Sequence, residues 1–295
     1  MNVRTNGPEP TAIVPRNEII CADAETALGG MPAGCIDAVV TSPPYFQQRD
    51  YGADRQIGRE PTPAEYIARL VRLFQQVRRV LAETGTVWIV IGDKYVDGQL
   101  LGLPWRVAIA LQDDGWQLRN DVIWHKPNAM PSAAKRRLTT DHEYVFLFTK
   151  SAGYYFDGDS IREPHVTFSE KSRMRGGRGH FFQRGSTPEQ GKNGGQANLH
   201  DGRWDQAFHP LGRNKRTVWS ISLGKCREAH FAVFPEPLVE TCIQAGSPPG
   251  GLVLDPFLGS GTTAIVARRL GRDFLGVDCQ AEYCEMARKR LEQSG

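Results

Sequence analysis

The stretch LVLDPFLGSGTTAIVARRLGRDFLGVD, residues 252–278, constrains the fold more than any other part of the chain. An apolar run over Leu252–Leu254 leads into Asp255, and a turn carries Gly259-Ser260-Gly261. Gly261–Leu270 then reads as a helix, and a second apolar run, Phe274–Val277, ends at Asp278. Two short strands joined by a helix run parallel, because the crossover returns the chain to the edge it left. The same alternation recurs elsewhere. Ile19–Ile20, Ile36–Val40, Thr86–Ile91, Trp116–His125 and His142–Phe148 read as strands; Pro63–Leu81, Leu103–Leu111, Pro237–Ala245 and Ala281–Leu291 read as helices. The expectation is an α/β fold with a mostly parallel sheet.

With 295 residues, 40% of them hydrophobic, the chain can bury a substantial core. A net charge of +3 is too small by itself to name a polyanion partner. No apolar run approaches the ~18 residues of a membrane span. The first residues lack the charged start and apolar block of a secretory leader, so a cytoplasmic location is expected. Six cysteines are scattered with no CxxC pair and no accompanying His cluster, so reduced thiols and no metal are expected.

Composition divides the chain. Residues 1–17 are polar and Pro-rich and read as an arm. Between Ile161 and Arg216 there are 11 Lys/Arg against 5 Asp/Glu, a surplus of 6, with nine glycines and little apolar periodicity. Residues 18–160 and 217–295 are thus expected to form two halves of one domain, with 161–216 inserted between them.

The glycine turn suggests a ligand. Glycines let it be tight and let a ligand touch the backbone, and open N–H groups at a helix start favour an acceptor-rich group. A carboxylate at the next strand tip, Asp278, is placed to take two ribose hydroxyls. A lone GxGxxA fits a dinucleotide too, and no GK[ST] follows as a phosphate loop would need. Asp255 decides: a carboxylate there repels a pyrophosphate but accepts from an ammonium group. S-adenosylmethionine carries such a group and NAD does not.

The second informative stretch is IDAVVTSPPY, where a strand runs into Thr41-Ser42-Pro43-Pro44-Tyr45. Two prolines cannot continue a sheet, because neither donates an N–H. Beside a methyl donor this tip suits methylation of an exocyclic amino group, whose lone pair is conjugated into its ring. Ser42 Oγ and the Pro43 carbonyl can accept both amino hydrogens, Pro44 fixes the carbonyl's direction, and Tyr45 can stack on the base. A base in a duplex must be flipped out for this, at a few kcal/mol, and stacking returns roughly 1–3 kcal/mol.

On these two motifs, Thr41–Tyr45 and Asp255–Thr263 (DPFLGSGTT), the chain resembles the amino-group DNA methyltransferases of bacterial restriction–modification systems. Catalytic motif first and cofactor loop last resembles their β group. The likeness runs from Glu18 to Leu291. It implies a Rossmann-like methyltransferase fold, S-adenosyl-L-methionine as cofactor, double-stranded DNA as partner, a cognate restriction endonuclease, and a monomer or homodimer. It implies catalytic roles for Ser42, Pro43, Pro44 and Tyr45. It implies cofactor contacts from Asp23, Phe234, Pro235, Leu238, Asp255, Pro256, Phe257, Gly259, Ser260, Gly261, Thr262, Thr263 and Asp278, with Phe231 walling the same pocket. The basic insert resembles a target-recognition region. Lys126, Lys135, Arg136, Arg137, Arg173, Arg175, Arg178, Arg213, Lys215 and Arg216 are the expected DNA contacts. Trp204 is a candidate for base stacking, and Trp219 for the core.

In this family Ser-Pro-Pro-Tyr is usual for cytosine N4, and Asp- or Asn-Pro-Pro-Tyr for adenine N6. Cytosine N4 is the reading taken, with adenine N6 as the alternative. Carbon-5 methylation needs a thiolate after a proline, and no cysteine here directly follows one. Glutamine methyltransferases resemble this tip but place the cofactor loop before it. A non-enzymatic DNA-binding relative would lack site residues that this chain has.

Overall fold

The computed structural model describes residues 14–48, 56–164, 211–223 and 235–294. In chain order the elements are β1 (Glu18–Cys21), α1 (Ala24–Gly29), β2 (Ile36–Thr41), α2 (Pro63–Val80), β3 (Leu81–Ile91), β4 (Tyr95–Val96), β5 (Gln99–Leu100) and α3 (Leu103–Asp113). Then come β6 (Gln117–His125), β7 (His142–Thr149), β8 (Val218–Ser220), α4 (Glu236–Gly246), β9 (Leu252–Asp255), α5 (Thr262–Arg269), β10 (Asp273–Asp278) and α6 (Ala281–Gln293).

Helix α2 illustrates how the elements arise. Thr62 accepts from the Glu65 N–H while the Glu65 carboxylate accepts from the Thr62 N–H, a reciprocal cap, and Pro63 occupies the first turn where its missing N–H costs nothing. Tyr66, Leu70, Leu73, Phe74, Val77 and Val80 are buried along one face. Burying each large side chain contributes roughly 1.5–3 kcal/mol, against about 1 kcal/mol for a cap. The buried face therefore holds the helix in place, and the cap sets its start.

Eight strands form one sheet in the order β1-β10-β9-β2-β3-β7-β6-β8. Strand β7 is antiparallel to both its neighbours, and every other neighbouring pair is parallel. Helices α1, α2 and α3 pack on one another in sequence, as do α4, α5 and α6. A core cluster fills the space between α1–α3 and the sheet, from Leu28 and Ile36 to Phe148 and Val277.

Two features of this topology make the site. Strands β2 and β9, far apart in the chain, are direct neighbours, with Ala38 opposite Val253 and Val39 opposite Leu254. From β2 the chain crosses through α2 to β3, and from β9 it crosses through α5 to β10 on the other side. The order reverses between them, and such a reversal opens a crevice at the carboxyl ends of the strands. The reversed direction of β7 also matters, because it brings the first residues of β7 to the edge where β2, β3 and β6 end.

Most expected elements are present with small shifts at their ends. Strand β3 begins at Leu81, five residues before the expected Thr86. Helix α1, the β4–β5 hairpin and β8 were not expected; none is longer than six residues, too short to carry a period. Trp219 is buried and packs against Trp88 with ring centroids 6.4 Å apart. Cys21, Cys35, Cys242, Cys279 and Cys284 are free thiols; of these only Cys242 and Cys284 are buried, and Cys226 lies outside the described residues. Among the described residues no helix is long and apolar enough to cross a membrane. Residues 158–216 form a second compact unit. Within it Glu163 and Arg213 pair through their backbones, and Arg213 and Lys215 both reach the Glu163 carboxylate.

Candidate active site

The β2 tip and the glycine loop line one cavity. Its wall includes Ser42, Pro43, Pro44, Tyr45, Trp124, Lys126 and Glu143 at one end. Asp23, Pro256, Phe257, Gly259, Ser260, Thr262, Asp278, Cys279 and Tyr283 line it as well.

Asp255 joins the two motifs. Its Oδ1 accepts from Thr41 Oγ1 at 2.6 Å and from the Phe257 N–H at 3.1 Å, and its Oδ2 accepts from Thr263 Oγ1 at 2.7 Å. Burial raises its carboxyl to about 6, and the bonds from Thr41 and Thr263 hold it lower than burial alone would. It is 1% exposed and does not line the cavity. The expectation of an open acceptor at the loop entrance is thus corrected. Asp255 is a tie between the strand that bears Ser42 and the loop that bears Gly259. Thr263, Gly261 and the buried Pro235 and Leu238 at the start of α4 are not among the residues that line the cavity. Phe231 and Phe234 lie outside the described residues.

At the glycine loop, Asp278 Oδ2 accepts from the Gly259 N–H at 2.8 Å, and Oδ1 accepts from the Gln280 N–H at 2.9 Å. Burial raises its carboxyl, and these two bonds oppose the rise. A carboxylate has about four lone-pair sites, so capacity for hydroxyls remains. Helix α5 opens at Gly261, with φ +87, and has no side-chain cap. A Cβ at Gly261 would lie 2.8 Å from the Ala287 Cβ, so only glycine suits this turn. Arg290 of α6 braces the loop, donating to the Ser260 carbonyl at 2.7 Å and to Ser260 Oγ at 2.8 Å. An uncapped helix start beside a carboxylate and the Phe257 and Tyr283 rings fits a nucleoside bearing an amino-acid tail. Asp23 caps α1 by accepting from the Thr26 N–H at 3.1 Å.

At the β2 tip, Tyr66 of α2 donates to the Pro44 carbonyl at 2.9 Å, which locks the turn from below. Tyr45 donates its phenol proton to Glu143 Oε2 at 2.8 Å, and Ser42 Oγ donates to Tyr45 Oη at 3.4 Å. Lys126 is ion-paired with Glu143 Oε1 and sits 4.4 Å from the Trp124 ring centre. Burial, then the Glu143 charge, pushes the Tyr45 phenol well above its ordinary value, so it stays protonated. Gly92, at the end of β3, makes room: a Cβ there would lie 2.9 Å from the Tyr45 ring and 3.1 Å from Glu143 Oε1.

Lys126, expected on DNA, is therefore inside the cavity. Lys135, Arg136 and Arg137 are exposed, and Arg137 stacks 3.8 Å from the Tyr95 ring centre. Arg216 is exposed. Arg173, Arg175, Arg178 and Trp204 lie outside the described residues. Sequence reasoning missed Glu143, Trp124, Tyr283 and Arg290. Glu143 carried a faint signal, as a charge at the head of the apolar run EYVFLF.

The family model described as DNA methylase matches residues 36–289. Type II methyltransferase M.SmaI of Serratia marcescens is 38% identical over 303 residues, covering 93% of this chain and 90% of the relative. Type II methyltransferase M.Cfr9I of Citrobacter freundii is 37% identical, covering 92% of this chain and 86% of the relative. Among solved structures, TTHA0409 of Thermus thermophilus, described as a DNA modification methylase and complexed with S-adenosyl-L-methionine, superposes with a TM-score of 0.60 at 27% identity. That match covers 94% of this chain and 95% of the other. The PvuII cytosine-N4-specific DNA methyltransferase shares the fold, with a TM-score of 0.69 at 22% identity over 97% of this chain and 89% of that one.

Proposed function

Since the chain belongs to the family of N6- and N4-directed DNA methylases, we propose that its target is the N4 amino group of a cytosine flipped out of double-stranded DNA. The coarser activity is that of a Type II DNA methyltransferase using S-adenosyl-L-methionine. The bound cofactor supplies the electrophilic methyl group.

The observation that carries the finer reading is the neutral hydroxyl of Ser42 at the β2 tip, in one cavity with the glycine loop. Exocyclic nitrogen is a poor nucleophile because its lone pair is delocalised. Two acceptors directed at its hydrogens, Ser42 Oγ and the Pro43 carbonyl, favour a more tetrahedral nitrogen. Tyr66 and the two prolines hold those acceptors still, so little reorganisation is needed when the base arrives. Pro44 and Tyr45 offer the base a flat apolar wall. The carboxylate of Asp278 takes the ribose hydroxyls, and the open start of α5 takes the tail carboxylate. The exposed Lys135-Arg136-Arg137 run neutralises phosphates.

Incubating unmethylated plasmid DNA with the protein and S-adenosyl-L-methionine, then digesting it to nucleosides, tests this reading. N4-methylcytosine in the digest is the expected product. N6-methyladenine instead would overturn the choice of base while leaving the family intact.

A further inference from the structure

The hydroxyl of Ser42 can accept from a base only if its own proton points elsewhere, and a line of side chains beneath it gives that proton a destination. Ser42 Oγ donates to Tyr45 Oη, 3.4 Å away, and Tyr45 Oη donates to Glu143 Oε2 at 2.8 Å. The line runs one way because of its far end. An ionised carboxylate only accepts, so it accepts the phenol's hydrogen bond and leaves the phenol oxygen's lone pairs to accept from Ser42. Lys126 is ion-paired with the other carboxylate oxygen, which leaves Oε2 to the phenol.

We propose that Glu143 is the positioning residue that sets the polarity of the Ser42 hydroxyl and receives the proton released from the methylated amine. This rests on the reading above only in requiring an amino group as methyl acceptor; it holds for cytosine or adenine alike. Among the described residues, two titratable side chains bond Glu143 directly. Tyr45 comes from the β2 tip and Lys126 from the end of β6. From β3 comes Gly92, which has no side chain, while the Asp93 carboxylate is taken by the backbone N–H groups of Lys94 and Leu103.

The proton count closes. The amino nitrogen bonds the methyl carbon with its own lone pair, while the electrons of the broken carbon–sulfur bond stay on sulfur. The nitrogen must then shed one proton. Ser42 Oγ takes it as the Ser42 proton moves to Tyr45 and the Tyr45 proton moves to Glu143. Ser42 and Tyr45 end as they began, and the carboxylic acid at Glu143 later releases its proton to water.

The experiment is a double-mutant cycle on Glu143→Gln and Tyr45→Phe, read by single-turnover methylation of plasmid DNA. Cofactor affinity is measured by calorimetry in the same proteins. Each single variant should methylate about 10²-fold more slowly, with cofactor affinity within about twofold of wild type. The double variant should be no slower than either single one, because both break the same line. Losses that multiply in the double variant would overturn the proposal. Loss of cofactor affinity in Glu143→Gln would likewise overturn it, by giving Glu143 a structural role. A wild-type digest lacking any methylated base would count against the activity itself and not against this line of residues.

Discussion

The two ends of the cavity solve the same problem, holding polar groups still, in opposite ways. At the glycine loop the backbone does the work. Gly259, Ser260 and Gly261 turn the chain tightly, and one segment of sequence supplies both the uncapped helix start and Asp278. At the β2 tip side chains do the work, and they come from separate elements: Ser42 and Tyr45 after β2, Tyr66 from α2, Lys126 just after β6 and Glu143 from β7. Recognition by backbone fixes where donors are. Recognition through hydroxyls must also fix which way each hydrogen bond points, and that takes a fixed charge at the end of the line. The first kind of site folds from local geometry; the second exists only once the sheet has formed.

Removing an acceptor at the β2 tip should therefore hurt chemistry, and removing one at the glycine loop should hurt binding. The largest effect is expected for Ser42→Ala. Turnover should fall by about 10²-fold or more, the scale of a lost group acting directly on the reacting atom, with the cofactor's dissociation constant unchanged. Kinetics beside calorimetric titration measures both, and a collapse in affinity with chemistry intact would erase the contrast. Asp278→Ala should do the reverse. Losing charge-assisted bonds costs about 1.5–3 kcal/mol, roughly a 10- to 100-fold weaker cofactor affinity, with turnover at saturating cofactor nearly unchanged.

A subtler change at the same end is Arg290→Ala. The guanidinium touches the loop only from behind, through the Ser260 carbonyl and hydroxyl. Losing such a brace costs on the order of 1 kcal/mol, so cofactor affinity should weaken about fivefold with no change in the methylated product. An effect as large as that of Asp278→Ala would mean that Arg290 acts on the ligand directly.

This contrast also explains what could be read from the sequence. Strand, glycine turn, helix and terminal carboxylate lie within residues 252–278, so the glycine-loop end was legible nearly whole. The Ser-Pro-Pro-Tyr tip was legible because prolines cannot be hidden in a strand. Glu143 and Lys126 were not legible as partners, because their meeting depends on β6 pairing with the reversed β7 and on Gly92 leaving space beside them. Asp255 was found but assigned the wrong direction. A one-dimensional pattern places a carboxylate at a strand end; only the neighbouring strand, with Thr41 already beside it, shows that the side chain turns inward. Helix α1 and β8 went unseen because six and three residues do not establish a period.

Asp255 belongs to neither end, and the smallest predicted effect follows from that. Its folded carboxyl titrates at about 6, above its unfolded value of 3.8, because burial outweighs the bonds from Thr41 and Thr263. Between those two values the folded protein binds more protons than the unfolded chain, so the slope of stability against pH is negative. The contribution of this group is fully present below about 3.8 and is lost as pH rises through about 6. That is the reverse of an ordinary paired surface carboxylate. Asparagine keeps the shape and has no proton to exchange. Its oxygen can still accept from Thr41, and Thr263 can turn its proton to the Val40 carbonyl, 3.4 Å away. On going from pH 7 to pH 5 the wild type should therefore gain about 1 kcal/mol relative to Asp255→Asn, one unit of proton uptake. Melting curves of both proteins at the two pH values read this as a difference of ~2 °C for a chain of this size. Equal shifts would mean that the carboxylate is already neutral at pH 7 or never desolvated. In the first case the tie between the two ends is not an ionised one; in the second it is ionised and carries no burial cost.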